Sequence, residues 1–179
     1  MSTFKRKINI FKKRKVDKKI DNFFNWVKGA KLVELKSCNI KEDPVRPDLN
    51  IIFRRSYGRK IFGVEYKKKI YAIMCFGFTD EIPITVKELD LMTRDAYLRS
   101  AQRDQNIGKI AIAYTIWSKK RGGGKLIVKE VFKMIKKSNH LNRLVTLSPL
   151  TEMARNFHLQ NGAIELQVNE ETQNFEYKI

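Results

Sequence analysis

The chain predicts an α+β fold: a mixed, mostly antiparallel sheet flanked by helices, entered through a basic amphipathic N-terminal helix. Three observations carry that expectation. Short β-rich runs alternate with helical patterns from residue 31 onward. One helical pattern lies directly between two strand runs, which calls for a parallel step. The last two strand runs adjoin closely enough to pair as a hairpin.

Residues 1–29 read as an extension and 30–179 as the main domain. Phe4, Ile8, Phe11, Ile20, Phe23 and Val27 recur near helical spacing with Lys and Arg between them. That spacing predicts a basic amphipathic helix over about 3–28, interrupted near Val16. Its apolar stripe suits packing on the following domain, and equally docking on a membrane surface or a partner. Its basic face suits nucleic acid or an acidic protein. Beyond Gly29, KLVELKSCNI (31–40) reads as a strand and KEDPVRPDL (41–49) as a loop, because Pro44 and Pro47 exclude regular structure. LNIIFRRSY (49–57) fits a short helix or a strand. KIFGVEY (60–66) and KIYAIMCFGF (69–78) form a hairpin whose turn lacks Asn-Gly or Asp-Gly. A polar segment, 79–106, holds one helix around 86–101. GKIAIAYTIW (108–117) is a central strand, apolar on both faces near its middle. A helix over 125–137, a strand over 143–148, a helix opened by Thr151 and closed by Asn161-Gly162, and a hairpin of 163–169 with 174–179 complete the order.

Composition narrows the class. A chain of 179 residues, 42% hydrophobic and 11% aromatic, is long and apolar enough to bury a core. No apolar run approaches the roughly 18 residues of a membrane span. The start lacks the apolar stretch of a secretory signal. Cys38 and Cys75 have no metal-ligand spacing, so they read as reduced thiols of a cytoplasmic protein without a metal. The net charge of +18 is uneven: residues 1–20 hold nine Lys/Arg against Asp17, leaving +10 for the remainder. Such a surface draws polyanions.

The densest chemical signal is SKKRGGGKL, residues 118–126, set between the central strand and an amphipathic helix. Consecutive glycines expose backbone N–H groups at a helix N-terminus, a geometry that holds phosphate. Lys119, Lys120, Arg121 and Lys125 reinforce it. The GxxxxGK[ST] loop is excluded because Leu126 follows Lys125, and GxGxxG is absent.

RGGGKL together with the C-terminal segment resembles the GNAT superfamily of acyl-CoA-dependent N-acetyltransferases. That family carries Q/R-x-x-G-x-G/A between its fourth strand and third main helix, where it binds the CoA pyrophosphate. Here Arg121 and Gly124 fit with Leu126 at the last small position; alternatively Lys119, Gly122 and Gly124 fit with Lys replacing Gln/Arg. The family's N-x-x-A-x-x-x-Y/F-x-x-x-G-F aligns with Thr151 to Ala163: Ala154 and Gly162 match, while Thr151, His158 and Ala163 differ. The resemblance covers about 150 residues.

It implies a mostly antiparallel GNAT-like sheet and acetyl transfer from acetyl-CoA to an unidentified amine. It also implies cofactor contacts from Trp117, Lys119, Lys120, Arg121, Gly122, Gly123, Gly124, Lys125 and Thr151. His158, standing where the family's acid Tyr is common, becomes a candidate proton donor near neutral pH. Tyr114 and Ser148 become candidates for the substrate end. The central strand carries no Asp or Glu, so Glu81, in the segment before it, is the candidate base. The alternative is a non-catalytic domain of this fold that binds nucleic acid or another polyanion through its basic surface.

Overall fold

The computed structural model describes residues 25–103 and 108–178. Helical residues 25–29 lead into β1 (Lys31–Leu35), a 3₁₀ turn (Ile40–Glu42) and α1 (Ile51–Arg55). The hairpin β2 (Lys60–Tyr66) and β3 (Lys69–Thr79) precedes α2 (Val86–Arg103) and β4 (Ile110–Ser118). Then come α3 (Gly123–Lys136), β5 (Arg143–Pro149), α4 (Glu152–Gln160), β6 (Ala163–Val168) and β7 (Thr172–Tyr177). The expected helix over 3–28 lies outside the described residues except for its end. There Trp26 is buried and Val27 packs on the core.

The seven strands form one sheet in the order β1-β2-β3-β4-β5-β7-β6. Only β4 and β5 pair in parallel, joined through α3 as the intervening helical pattern requires. The ambiguous 49–57 stretch resolves as helix because Asn50 caps it, its Oδ1 accepting the Phe53 N–H at 2.9 Å. The β2–β3 turn is made by Lys67 and Lys68, both at positive φ (51° and 61°). Mirror-image turns match strand twist, and here two lysines accept the conformation that Asn-Gly more often supplies. β1 ends at Leu35, short of the expected 40, and the last strand begins at Thr172 rather than 174.

One face of the sheet is covered by α3, whose Leu126, Ile127, Val128, Val131 and Ile135 are buried against Met74, Phe76, Ala111 and Leu144. The other face carries α1 and α2, with Ile61, Ile73, Leu89, Ile112, Tyr114 and Val145 between the layers. Within β4 the strict alternation breaks once. Cys75 pairs with Thr115 and Phe76 with Ala113, so Tyr114 is an extra, bulged residue. A bulge bends its strand and re-aims side chains, and this one lies where the parallel pairing stops.

Candidate active site

β4 and β5 are hydrogen-bonded only from Ile110–Arg143 to Ala113–Thr146. Beyond that point both strands continue, to Ser118 and Pro149, without pairing to each other. They part like the arms of a V, and a cavity of about 640 Å³ fills the gap. Its walls are β4 from Ala113 to Ser118, the loop 119–122 with Gly124 and Lys125, the end of β5, and one side of α4.

The glycine loop is a tight turn. Gly122 caps α3 in the left-handed region (φ 82°), where a side chain would be strained. Gly123 is buried: a Cβ there would collide with Ser118 Oγ and meet Ala72 Cβ at 3.3 Å. A Cβ at Gly124 would stand 3.0 Å from the Phe157 ring, while Leu126 faces the core. The register beginning at Lys119 puts Gly124 at the last small position, and the one beginning at Arg121 puts the buried Leu126 there. The N–H of Lys119 goes to Tyr71 O, that of Gly123 to Lys120 O, and that of Leu126 to Gly122 O. The N–H groups of Arg121, Gly122, Gly124 and Lys125 have no partner among the described residues. Gly122, Gly124 and Lys125 also line the cavity, giving it the unpaired donors of a helix N-terminus.

The four flanking cations are not equivalent. Lys119 is paired with Glu42 at 2.5 Å. The Lys120 ammonium sits over Trp26 (4.6 Å), Tyr71 (5.3 Å) and Tyr66 (5.7 Å), which holds it by cation–π attraction. Arg121 and Lys125 are exposed and make no ion pair among the described residues, which leaves their charge for a ligand.

At the other end of the cavity lies a hydrogen-bonded chain. His158 Nε2 is 2.8 Å from Ser148 Oγ, and its Nδ1 is 2.9 Å from the Tyr177 hydroxyl. The Ser148 hydroxyl donates to Thr146 Oγ1 at 3.1 Å. With the serine proton placed there, Nε2–H donates to Ser148 and the Tyr177 O–H donates to Nδ1. The ring stacks on Phe175, 4.9 Å between centroids. Burial pushes the imidazole down to about 4, so His158 is neutral at pH 7. At neutral pH the ring therefore offers Ser148 a neutral N–H. Burial likewise raises the Tyr177 phenol.

The cavity therefore gathers Tyr114, Trp117, Lys119, Lys120, Arg121, Gly122, Gly124, Lys125, Ser148 and His158. Three expected residues fall elsewhere. Gly123 packs behind the loop. Thr151 caps α4, its Oγ1 accepting the Ala154 N–H at 3.2 Å, and does not line the cavity. Glu81 is exposed on the loop after β3, its carbonyl accepting the Thr79 hydroxyl at 2.6 Å, and is not a wall residue either. Among the described residues no carboxylate lines the cavity.

The 41–49 loop, empty of signal in the sequence, supports the splay. Asp43 and Arg54, both wholly buried, form a 2.8 Å ion pair. Asp43 also accepts the N–H groups of Val45 and Arg46 and the Thr115 hydroxyl, at 2.8–3.1 Å. Arg54 donates to Leu49 O and Arg46 O at 2.8 and 2.7 Å. Arg46 then reaches between the parted strands, donating from Nε to Tyr114 O (2.9 Å) and from Nη2 to Leu147 O (3.1 Å). Asp43 and Arg46 in a Pro-containing loop, and Arg54 on the short helix after it, read as surface charge; only the tertiary pairing reveals their role.

No profile of a known protein family matches the chain, and no curated protein matches it in sequence. Solved structures do match in shape. An acetyltransferase from Bacillus subtilis in complex with CoA superposes with a TM-score of 0.57 at 8% identity, over 84% of this chain and 99% of that one. The GNAT domain of PAT from S. lividans gives 0.56 at 8% identity, over 84% and 90%. Malonyl-CoA decarboxylase from Cupriavidus metallidurans overlays at 0.48 and 19% identity over 76% of this chain, which spans only 36% of that enzyme.

Proposed function

On a chain that has the GNAT fold, we propose that the cavity between β4 and β5 binds an acyl-CoA and that the protein is an acyl-CoA-dependent N-acyltransferase, acetyl-CoA being the simplest donor. The observation that carries this is the pairing of an open strand splay with unpaired N–H groups at the start of α3. The pyrophosphate accepts from Gly122, Gly124 and Lys125 N–H, with Arg121 and Lys125 supplying positive charge. From residue 119 back to Tyr114, five strand residues span about 16 Å. An extended pantetheine arm laid along the unpaired edge of β4 brings its sulfur beside Tyr114 and across from Ser148.

Ser148 and His158 then stabilise the departing thiolate. The serine O–H hydrogen-bonds to sulfur and the neutral Nε2–H hydrogen-bonds to the serine oxygen, while the proton that sulfur takes up is the one lost by the attacking nitrogen. Tyr177 keeps the ring in the tautomer that permits this. The acceptor ammonium loses its proton to water, since among the described residues no carboxylate lines the cavity.

Titration calorimetry with CoA and acetyl-CoA tests the binding step, and no heat at millimolar ligand removes the proposal. Ser148→Ala is expected to lower turnover about 100-fold with little change in KM, the signature of a group used in the transition state. The charge of +18 favours a second role, capture of a polyanion such as nucleic acid through residues 1–28. Binding to a DNA or RNA oligonucleotide that weakens steeply with salt, and vanishes on removal of those residues, supports it. Salt-insensitive binding excludes it.

A further inference from the structure

We propose that the exposed face of α3, with the groove along its flank, binds single-stranded nucleic acid. The surface belongs to the folded domain, apart from residues 1–28, and does not depend on the acyl-CoA role of the cavity between β4 and β5.

α3 buries its apolar side and turns Lys125, Lys129, Lys133 and Lys136 to solvent. Spaced four, four and three residues apart, they fall within an arc of about 80° and form one row about 16 Å long. Burial of Ile127, Val131 and Ile135 asks only that the opposite face be polar. Lysines at i,i+4 repel one another, so the row weakens the helix that carries it. Glu130, the one acid of α3, is paired with Lys133 at 2.8 Å. Lys125, Lys129 and Lys136 make no ion pair among the described residues. A ligand that carries its negative charges in a line relieves that repulsion.

The groove narrows the choice of polyanion. Its volume is about 330 Å³, and it is lined by Lys129 and Phe132 of α3 and by Tyr177 and Lys178 at the end of β7. Phe132 is half-buried, with the Lys136 ammonium 6.0 Å from its ring centre. Four helical residues rise about 6 Å, close to the separation of consecutive phosphates along an extended strand. Cations that track a backbone, with aromatic rings beside them, hold unpaired bases, which stack where duplex bases cannot. An anionic membrane fits less well. A helix lying in lipid needs an exposed apolar face, and no large apolar side chain is exposed between residues 121 and 140.

Fluorescence anisotropy of the intact chain with a dye-labelled oligouridine strand, read across a salt series, tests this. Lys129→Glu/Lys136→Glu reverses two charges of the row. Lys87→Glu/Arg94→Glu makes the same change in net charge on α2, across the sheet from α3. The row variant is expected to bind about tenfold or more weakly. Its slope of log affinity against log salt falls by about 1.4, the value for two lost phosphate contacts on a single strand. The α2 variant stays within about threefold of wild type. Phe132→Leu keeps an apolar contact but loses a stacking face, so it weakens binding about fivefold or more with the slope unchanged. Saturating CoA leaves the affinity in place, because the row runs away from the β4–β5 cavity. Absence of binding, an equal loss in both charge variants, or displacement of the strand by CoA overturns the inference. Tighter binding to phosphatidylserine vesicles or to polyglutamate does the same. An undiminished affinity in the row variant also overturns it, and leaves residues 1–28 as the site of polyanion contact.

Discussion

Replacing Asp43 with Asn tests whether the buried ion pair organises the splay. The substitution keeps shape and removes one charge, leaving Arg54, wholly buried, without its carboxylate. Uncompensated buried charges of this kind cost about 3–5 kcal/mol. For a chain of this size each kcal/mol moves Tm by about 2–4 °C, so Asp43→Asn is expected to lower Tm by about 6–20 °C. The exposed Lys60–Glu34 pair, also at 2.8 Å, is the control: Glu34→Gln costs at most about 1 kcal/mol. The double variant Asp43→Leu/Arg54→Met separates charge from scaffolding. If the pair contributed charge alone, apolar replacement would restore wild-type stability. Arg54 also satisfies the carbonyls of Leu49 and Arg46, whose loss costs about 1–3 kcal/mol each, so the double variant stays below wild type. Calorimetric melting of the four proteins reads this out. A Tm for Asp43→Asn within 3 °C of wild type refutes the reasoning.

His158 makes stability pH-dependent. Its folded pKa of about 4 lies below the ordinary 6.5, so the unfolded chain binds the proton more readily. Stability is then full above pH 6.5 and falls by up to about 3 kcal/mol as pH drops toward 4, a slope that urea titrations find reduced in His158→Gln. Gly123→Ala drives a Cβ into Ser118 Oγ and is expected to destabilise by about 1–3 kcal/mol; adding Ser118→Ala recovers only part, because Ser118 Cβ and Ala72 Cβ both stand at 3.3 Å. The Cys38 thiol is brought down to about 7, chiefly by a hydrogen bond with Cys75, while burial holds the Cys75 thiol well above its usual value. Iodoacetamide at pH 7.5 therefore alkylates Cys38 first, its rate rising through a midpoint near 7; peptide mapping that finds Cys75 modified first contradicts this.

What the sequence disclosed was whatever rests on local pattern. The strand-then-helix frame around SKKRGGGKL, the parallel step across α3 and the closing hairpin all follow from periodicity and turn chemistry over short windows. The glycine turn before α3 was legible for the same reason: Gly122, Gly123 and Gly124 lie within a single turn. The Asp43–Arg54–Arg46 chain was not. Its members meet β4 and β5 across 68 and 101 residues of sequence, and nothing near them distinguishes a buried arginine from a surface one. His158 fell between these cases. Its place on α4 was readable, but its protonation state depends on the burial supplied by Phe175 and Tyr177 from the last strand.

The bulge at Tyr114 links these parts. An extra residue in β4 offsets its register against β3 while β3 still pairs on to Ser118, so the strand stays anchored on one side. On the other side β5 loses its partner after Thr146 and remains anchored through β7 as far as Pro149–Thr172. Two strands, each secured on its outer edge, are left with bare inner edges. Bare carbonyls buried in a protein demand donors. Arg46 answers that demand for Tyr114 and Leu147 with one edge of its guanidinium, and the cavity begins where its reach ends.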